Sequence, residues 1–291
     1  MEHLDPHDPS VIIVASVSGG KDSTAMSLHL TELGIDHVRV FADTGWEHPA
    51  TLEYVNEVLP KHLGPINVIR NDKGFEELCL SKGMFPWRLT RFCTELLKVK
   101  PILMFIEELR AEDRCVNAVG IRHGESKARS KLGEWEFNES MDLWVWRPMV
   151  EWSIDDVIAI HKRHGVPPNP LYTWGAARVG CWPCIFSRKS EIKLVSLIDP
   201  GRIDRIRDLE LRVQEAARKR YAKRGETFES LGYHPPTFFQ PLKTHEMMSI
   251  DKVVMWASTS YGGKQLEMFF DAETDGCARW GLCDTQTMCS F

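Results

Sequence analysis

The sequence predicts a doubly wound α/β domain with a mainly parallel sheet, followed by a mainly helical C-terminal region. Three observations predict it. Short apolar, β-branched runs alternate with helical segments through the first half of the chain. A glycine-rich turn lies directly between the first such run and the first helix, and strand signals fade after about residue 150. Alternating strands and helices imply a parallel sheet that is covered by helices on both faces.

The elements follow one another in a regular order. Each expected strand is a short apolar run, and each expected helix is bounded by a capping residue, a proline or a glycine. We expect strands over residues 11–17, 37–42, 67–69, 115–120 and 143–146, and helices over residues 24–30, 49–63 and 93–110. In such a fold the ligand binds beyond the carboxyl ends of the strands.

The second half of the chain differs in pattern and in local charge. We expect one domain over residues 1–150 and a helical, cysteine-bearing region over residues 151–291. Ser153 and Asp156 form a capping signal for one helix, and apolar residues keep helical spacing from 202 to 224. Residues 188–224 hold 12 Lys+Arg and 6 Asp+Glu. This basic helix either contacts a phosphate backbone or is a solvated face; residues from 262 onward carry no clear periodicity.

Composition bounds the possible classes of protein. The chain has 291 residues, with 43% hydrophobic and 26% charged residues, which excludes a disordered or fibrous protein. A formal charge of -5 provides no overall positive field for nucleic acid. We find no signal peptide and no apolar run near the ~20 residues that span a bilayer. We therefore expect a cytoplasmic protein without membrane association, in which the eight cysteines are thiols or metal ligands.

The glycine-rich turn predicts a phosphate site. Residues 18–23 read Ser-Gly-Gly-Lys-Asp-Ser and join a buried strand to a helix. This arrangement gathers unhindered backbone N–H groups, a helix N-terminus and the Lys21 ammonium around one point. The spacing is not that of a Walker A loop, which has four residues between Gly and Gly-Lys. The alternative is a purely structural turn.

The same residues resemble a known superfamily. Ser18-Gly19-Gly20-Lys21-Asp22-Ser23 resembles the PP-loop of the N-type ATP pyrophosphatases. Further stretches resemble, in order, the phosphoadenosine phosphosulfate reductase family: Phe41-Ala-Asp43-Thr44-Gly-Trp, Arg91-Phe-Cys93, Gly120-Ile-Arg122, Trp146-Arg-Pro and Arg178-Val-Gly-Cys181. The resemblance covers about residues 11–190. It implies an adenine nucleotide alpha hydrolase-like fold in which the loop holds the ATP phosphates, Mg²⁺ assists, and the bond between α- and β-phosphates breaks.

Several polar residues are candidates for this site. Lys21, Asp22 and Arg122 are the expected catalytic residues. Asp22 either holds the metal or complements the helix dipole, and Arg122 either reaches a phosphate or substrate anion or forms a surface salt bridge. Asp43 ends the second strand where a nucleotide fold places a ribose-contacting acid, although an Asp there also forms turns. The expected nucleotide-binding set is Ser18, Gly19, Gly20, Lys21, Asp22, Ser23, Asp43, Thr44 and Gly120.

The cysteines divide into three groups. Cys181-Trp-Pro-Cys184 places two thiols at one centre, which suits zinc, an iron–sulfur cluster or a redox disulfide. The family resemblance implies a four-iron, four-sulfur cluster that includes Cys93, with zinc as the alternative. The family's Cys-Cys pair is absent, because Phe92 precedes Cys93 and Thr94 follows it. Cys79 and Cys115 are expected in the core. One of Cys277, Cys283 and Cys289 supplies a fourth ligand or carries a persulfide, or all three are free thiols of a frayed terminus.

Three functions are compatible with these features. The arrangement is most similar to the PP-loop enzymes that install phosphorothioate in DNA, which implies ATP-dependent adenylylation of an acceptor and sulfur transfer. The implied partners are ATP, a sulfur donor such as a cysteine desulfurase, and a DNA acceptor; tRNA or a metabolite is also compatible, and the oligomeric state is open. The second function is reduction of an adenylyl or phosphoadenylyl sulfate to sulfite. The third is a nucleotide-binding subunit with a structural zinc site.

Overall fold

The centre of the molecule is a six-stranded sheet in the order β3-β2-β1-β4-β6-β5. A computed structural model describes residues 3–109, 114–240, 247–259 and 280. The strands are β1 (Val11–Ser16), β2 (His37–Asp43), β3 (Ile66–Arg70), β4 (Arg114–Val119), β5 (Trp135–Asn138) and β6 (Leu143–Trp146). All neighbouring strands pair in parallel except β5, which pairs antiparallel with β6 at one edge. The expected doubly wound class is confirmed, and β5 is an addition to it.

Helices surround this sheet and make up the described part of the C-terminal half. They are α1 (Lys21–Glu32), α2 (Pro49–Glu53), α3 (Leu59–Leu63), α4 (Phe75–Lys82), α5 (Phe92–Thr94), α6 (Lys100–Leu109), α7 (Ile154–Arg163), α8 (Pro170–Thr173), α9 (Lys189–Ile198), α10 (Pro200–Ala222) and α11 (Ile250–Ala257). Short π-helical turns join α2 to α3 and α5 to α6. The described residues after 150 add no strand to the six-stranded sheet, although the domain boundary itself stays a prediction.

Local sequence explains most helix boundaries. Ser153 and Asp156 form the expected capping box, because the Ser153 hydroxyl accepts from the Asp156 N–H and the carboxylate accepts in return. The first helix begins at Lys21 rather than at residue 24, since the glycine turn itself supplies the N-cap, Gly20. The patterns did not predict α4, α9 or α11, each of only 8 to 10 residues. Short helices contain too few turns to display a clear period.

The order of the strands creates a switch point beside the glycine turn. The chain passes from β1 to β2 and β3 on one side, and then returns to place β4 on the other side of β1. The loops that follow β1 and β4 therefore diverge at the same edge of the sheet and leave a crevice between them. Ligands of doubly wound proteins bind at such a point.

An apolar cluster packs the C-terminal helices against the segment that follows β2. Trp46 and Phe85 are fully buried there, and both rings contact Phe238. Side chains of α4, α9 and α10 fill the remainder of the cluster. Burial of one large apolar side chain contributes roughly 1.5–3 kcal/mol, so this cluster fixes the C-terminal helices against the sheet. Within the described ranges, no helix has the length and apolarity needed to cross a membrane.

Candidate nucleotide and cysteine site

We call residues 18–23 the phosphate loop, after the site that the sequence predicts there. The hydroxyl groups of the loop itself hold it in place. The Ser18 N–H donates to the Ser23 Oγ at 2.9 Å, and that hydroxyl donates in turn to the Gly20 carbonyl at 3.1 Å. Gly19 has φ +72°, a left-handed conformation that glycine adopts without strain. A Cβ there would also lie 2.9 Å from the Val55 Cγ2. The local sequence thus closes the turn before any ligand binds.

The three residues that we expected to act in catalysis converge at the switch point. The Arg122 Nε donates to the Asp22 Oδ1 at 2.5 Å, and the Lys21 Nζ lies 3.7 Å from the Asp22 Oδ2. Arg122 is only 6% exposed, so its ion pair is poorly screened by water. Gly120 makes this convergence possible, since a Cβ there would lie 2.7 Å from the Asp22 carbonyl oxygen. Two cations and one carboxylate therefore face the crevice between β1 and β4.

Two residues that the sequence did not indicate hold the backbone of Lys21 from both sides. The Lys21 N–H donates to the Tyr172 hydroxyl at 3.1 Å. The Lys21 carbonyl lies 2.9 Å from the His161 Nε2; a carbonyl can only accept, so this nitrogen carries the hydrogen. Burial lowers the pKa of His161, which favours a neutral ring. Both residues follow the loop by about 140 positions or more, and no local motif links them to it.

The predicted ribose contact, Asp43, is occupied within its own turn. Its Oδ1 accepts from the Gly45 N–H at 2.7 Å, and its Oδ2 lies 3.5 Å from the Arg70 Nη1. The neighbouring Thr44 donates its hydroxyl to the Glu47 Oε1 at 2.7 Å. The structural alternative that we considered for Asp43, an Asx turn, is therefore present. A role for Asp43 or Thr44 in nucleotide binding stays a prediction.

The Cys181–Cys184 turn packs against the segment that follows β2. Cys181 forms an isolated antiparallel bridge with Glu47, and its Sγ lies 3.9 Å from the Thr44 Oγ1. The next residue anchors the turn, because the Trp182 N–H donates to the Trp46 carbonyl at 2.9 Å. The strand end at residue 44 and the cysteine turn, whose contacting residues are 137 positions apart in the sequence, thus form one surface.

Lys98 interacts electrostatically with three of the cysteines. The motifs did not reveal this residue. The thiol groups of Cys181, Cys184 and Cys93 and the carboxylate of Glu47 all act electrostatically on its ammonium and raise its pKa, with Cys181 contributing most. Lys98 lies one to two turns after Cys93 in the same helical stretch. Lys100 stands two residues further along the same stretch, so the sequence alone did not distinguish Lys98. The cysteines therefore surround a fixed positive charge.

Burial disfavours ionisation of the Cys181 and Cys93 thiols. Burial raises the pKa of Cys181 to about 11, although Lys98 opposes the effect. Burial likewise raises the pKa of Cys93. Cys79 and Cys115 lie in the apolar core, as expected.

The three cysteines match a metal–sulfur centre in donor chemistry but not in placement. Among the residues that the structure describes, no group of three or more His, Cys, Asp or Glu side chains is placed to hold a metal ion. The described cysteines near Lys98 supply three ligands, which leaves one iron of a four-iron cluster either bound by a further residue or open to receive sulfide. Cys277, Cys283 and Cys289 lie outside the described residues. We therefore derive no chemical step through a metal centre.

The basic helix predicted over residues 202–224 is present as α10, but many of its cations face acids. Arg205 and Arg212 both contact Glu76 of α4, at 2.5 and 2.7 Å. Arg207 contacts Asp251 of α11 at 2.6 Å. These ion pairs reduce the local positive field that a phosphate backbone would meet, so α10 fits the solvated-face alternative better.

Fold and site together define a class of protein. A doubly wound sheet with a glycine-rich anion loop at its switch point is a nucleotide-binding fold. A model of the phosphoadenosine phosphosulfate reductase domain matches residues 12–187 of the chain. The chain belongs to this family, whose members are enzymes that act on nucleotides.

Individual relatives place the chain within the family. An uncharacterised 37.8 kDa protein of Escherichia phage 186 is 31% identical over 89% of this chain and 92% of its own length. Adenosine 5'-phosphosulfate reductase of Streptomyces coelicolor is 31% identical over 55% of this chain and 66% of its own length. Among solved structures, phosphoadenylyl-sulfate reductase from Candida auris in a phosphate complex is similar at 22% identity. Its TM-score is 0.47, over 59% of this chain and 82% of that one.

Proposed function

We propose that the protein is an ATP pyrophosphatase that adenylylates an acceptor for sulfur transfer. The convergence of Lys21, Asp22 and Arg122 on a complete phosphate loop is the observation that carries this proposal. A triphosphate brings about four negative charges to such a site, and the loop offers the N–H groups of a first helical turn together with two cations. The same arrangement serves a leaving group that gains charge as the reaction proceeds.

The reaction has two balanced steps. An acceptor oxygen attacks the α-phosphorus of ATP, the bond from that phosphorus to the bridging oxygen of the β-phosphate breaks, and pyrophosphate leaves. Sulfide from a donor then attacks the activated acceptor and displaces AMP. Lys21 and the loop N–H groups would hold the departing pyrophosphate, and Arg122 would face the α-phosphate. Mg²⁺ bound with ATP would neutralise phosphate charge, with Asp22 as its nearest carboxylate.

The position of the cysteines supports sulfur chemistry next to the nucleotide. Residues 169–184 run from the phosphate loop to Cys181 and Cys184 without leaving the site. We propose that these two cysteines, with Cys93, handle the sulfur as thiols. Ligation of an iron–sulfur cluster or zinc is the alternative, and it requires the three side chains to move closer together. Iron, zinc and acid-labile sulfide, measured in anaerobically purified protein, decide between the three.

The proposed acceptor is DNA, and a cysteine desulfurase is the proposed type of sulfur donor. This part of the proposal rests on the likeness to the enzymes of DNA phosphorothioation, since the ion-paired arginines of α10 add little support. Incubation of the anaerobic protein with Mg²⁺, ATP, sulfide and either duplex DNA, tRNA or no acceptor tests it. We expect AMP and pyrophosphate in equal amounts, and only when DNA is present.

Replacement of Lys21 by alanine tests the chemistry itself. We expect Lys21→Ala to lower the rate of pyrophosphate release by 10²-fold or more, since one lost charge contact to a leaving group costs about 3 kcal/mol. Lys61→Ala is the matched control, because Lys61 is an exposed lysine of α3. An unchanged rate in Lys21→Ala would remove the phosphate loop from the mechanism.

Sulfonucleotide reduction is the second candidate, favoured by the likeness to adenosine 5'-phosphosulfate reductase. In that reaction a thiol attacks the sulfur of an adenylyl sulfate and no triphosphate is consumed. The two candidates separate when adenosine 5'-phosphosulfate and a dithiol replace ATP and sulfide. Release of sulfite without any need for ATP contradicts the pyrophosphatase proposal.

A further inference from the structure

Residues 169–180 cover the phosphate loop and contact it through three of their residues. The Asn169 Nδ2 donates to the Gly19 carbonyl at 3.1 Å, and the Tyr172 hydroxyl accepts from the Lys21 N–H at 3.1 Å. The Ala177 carbonyl accepts from the Lys21 Nζ at 3.4 Å. We call residues 169–180 the strap. It continues directly into Cys181, so a single stretch of chain contacts both halves of the site.

Two oxygens of the strap bind donors that a phosphate group needs. The Lys21 N–H belongs to the first turn of α1, where the N–H groups have no partner within the helix. The Lys21 ammonium also lies over the Tyr172 ring, at 4.9 Å from its centroid. The acceptors are a neutral hydroxyl and a neutral carbonyl. A phosphate oxygen carries charge, and hydrogen bonds to charged acceptors are roughly twice as strong as neutral ones.

The strap oxygens are held in place by packing on their far side. Tyr172 is buried, and its hydroxyl also faces the backbone of Val179. Trp280 is buried against the Tyr172 ring at 6.0 Å and against the His161 ring at 5.0 Å. A rotation of the tyrosine alone is therefore obstructed, and its hydroxyl leaves Lys21 only if the strap moves with it.

We propose that the strap closes the phosphate loop until a triphosphate binds and releases it, which couples the nucleotide site to Cys181. The phosphate takes the Lys21 N–H and ammonium from Tyr172 and Ala177. The strap then loses two of its contacts to the loop, and the change passes along the chain to the Cys181 bridge with Glu47. This inference rests on the proposed function only in that the loop is where the nucleotide binds.

Hydrogen exchange of the full-length chain, followed by mass spectrometry with and without Mg²⁺ and α,β-methylene ATP, tests the strap. The link between the α- and β-phosphates of this analogue cannot be hydrolysed. We expect exchange to slow in residues 18–24 and to accelerate in residues 173–180. The expected acceleration is roughly two- to tenfold, the factor that one neutral hydrogen bond contributes to a local opening equilibrium.

Tyr172→Phe gives a second, independent outcome. Without nucleotide, this variant is expected to exchange in the strap two- to tenfold faster than wild type, and the analogue adds little further acceleration. Its dissociation constant for the analogue is expected to fall, because the phosphate no longer displaces the hydroxyl. If Tyr172 had only a structural role, its replacement would instead weaken binding of the analogue. Tyr54→Phe is the matched control, since the buried Tyr54 hydroxyl donates to the Pro167 carbonyl at 2.7 Å, which lies before the strap.

The possible failures are distinguishable. Protection of the loop with an unchanged or slower strap overturns the strap inference and leaves the proposed function intact. Absence of loop protection at millimolar analogue overturns both. Strap exchange in Tyr172→Phe that equals wild type, or weaker binding of the analogue, overturns the inference even if the loop is protected.

Discussion

The geometry of the site depends on the absence of a Cβ atom at Gly120. The end of β4 approaches the first turn of α1 so closely that a Cβ on Gly120 would lie 2.8 Å from the Ser23 Cα. The obstructing atoms belong to backbone, so a larger residue must displace either the strand or the helix. The ion pair between Asp22 and Arg122 depends on the same approach.

We expect Gly120→Ala to destabilise the protein by about 1–3 kcal/mol, the usual cost of overpacking, and to weaken ATP binding. Urea unfolding and equilibrium dialysis with ATP measure the two effects. Gly124→Ala is the matched control, because the nearest atom to a Cβ there is the Arg122 Nη1 at 3.8 Å. Wild-type stability in Gly120→Ala contradicts the close approach.

At the scale of single elements, α10 organises the C-terminal half. Its apolar side packs into the cluster around Trp46, and its cations contact acids of α4 and α11. One acid of this helix, Glu210, is buried and accepts the N–H groups of Phe238 at 2.9 Å and Ile250 at 3.1 Å. Ile250 begins α11. Glu210 therefore ties two later segments to α10, although burial raises its pKa.

Glu210→Gln is expected to destabilise the protein by about 1–3 kcal/mol, because an amide NH₂ replaces one of the two acceptors and leaves a buried N–H unpaired. The free energy of unfolding in urea is the measurement. Glu215→Gln on the same helix serves as the control: Glu215 is exposed, and its ion pair with Lys219 contributes well under 1 kcal/mol. Equal losses in both variants would contradict the special role of Glu210.

Across the whole molecule, several histidines that are half-buried or buried resist protonation. Burial lowers the pKa of His29, His37 and His161, which lie in α1, β2 and α7. In the unfolded chain each histidine titrates near 6.5. Below that pH the unfolded chain takes up protons that the folded chain does not, so the free energy of unfolding falls as the pH decreases.

We expect stability to be constant near pH 8 and to fall from about pH 6.5 downward, toward the lowered pKa values of the folded state. Urea unfolding at pH 8, 6.5 and 5.5 measures this dependence. His161→Gln is expected to be less stable at pH 8, since it loses buried packing, but to show a shallower decline with falling pH. A decline as steep as that of wild type would contradict the burial of a neutral His161.

The motifs that could be predicted are those in which neighbouring residues cooperate. The glycine turn, the capping box at Ser153 and the Cys181–Cys184 turn were predicted because each depends on residues within a few positions. The parallel strands were predicted from apolar runs that are buried on both faces. The short antiparallel β5 was missed, since four residues at the edge of a sheet produce too little alternation to be recognised.

The sequence by itself determined the class of fold, and it located the glycine-rich loop and the cysteines that are candidates for chemistry. Only the tertiary structure decided which distant residues complete the site. Tyr172 and His161 flank Lys21, Lys98 lies among the cysteines, and the arginines of α10 face acids on other helices. The physical reason is that these contacts depend on the order of the strands and on the packing of the helices. Those features arise from the burial of the whole chain and not from any local spacing.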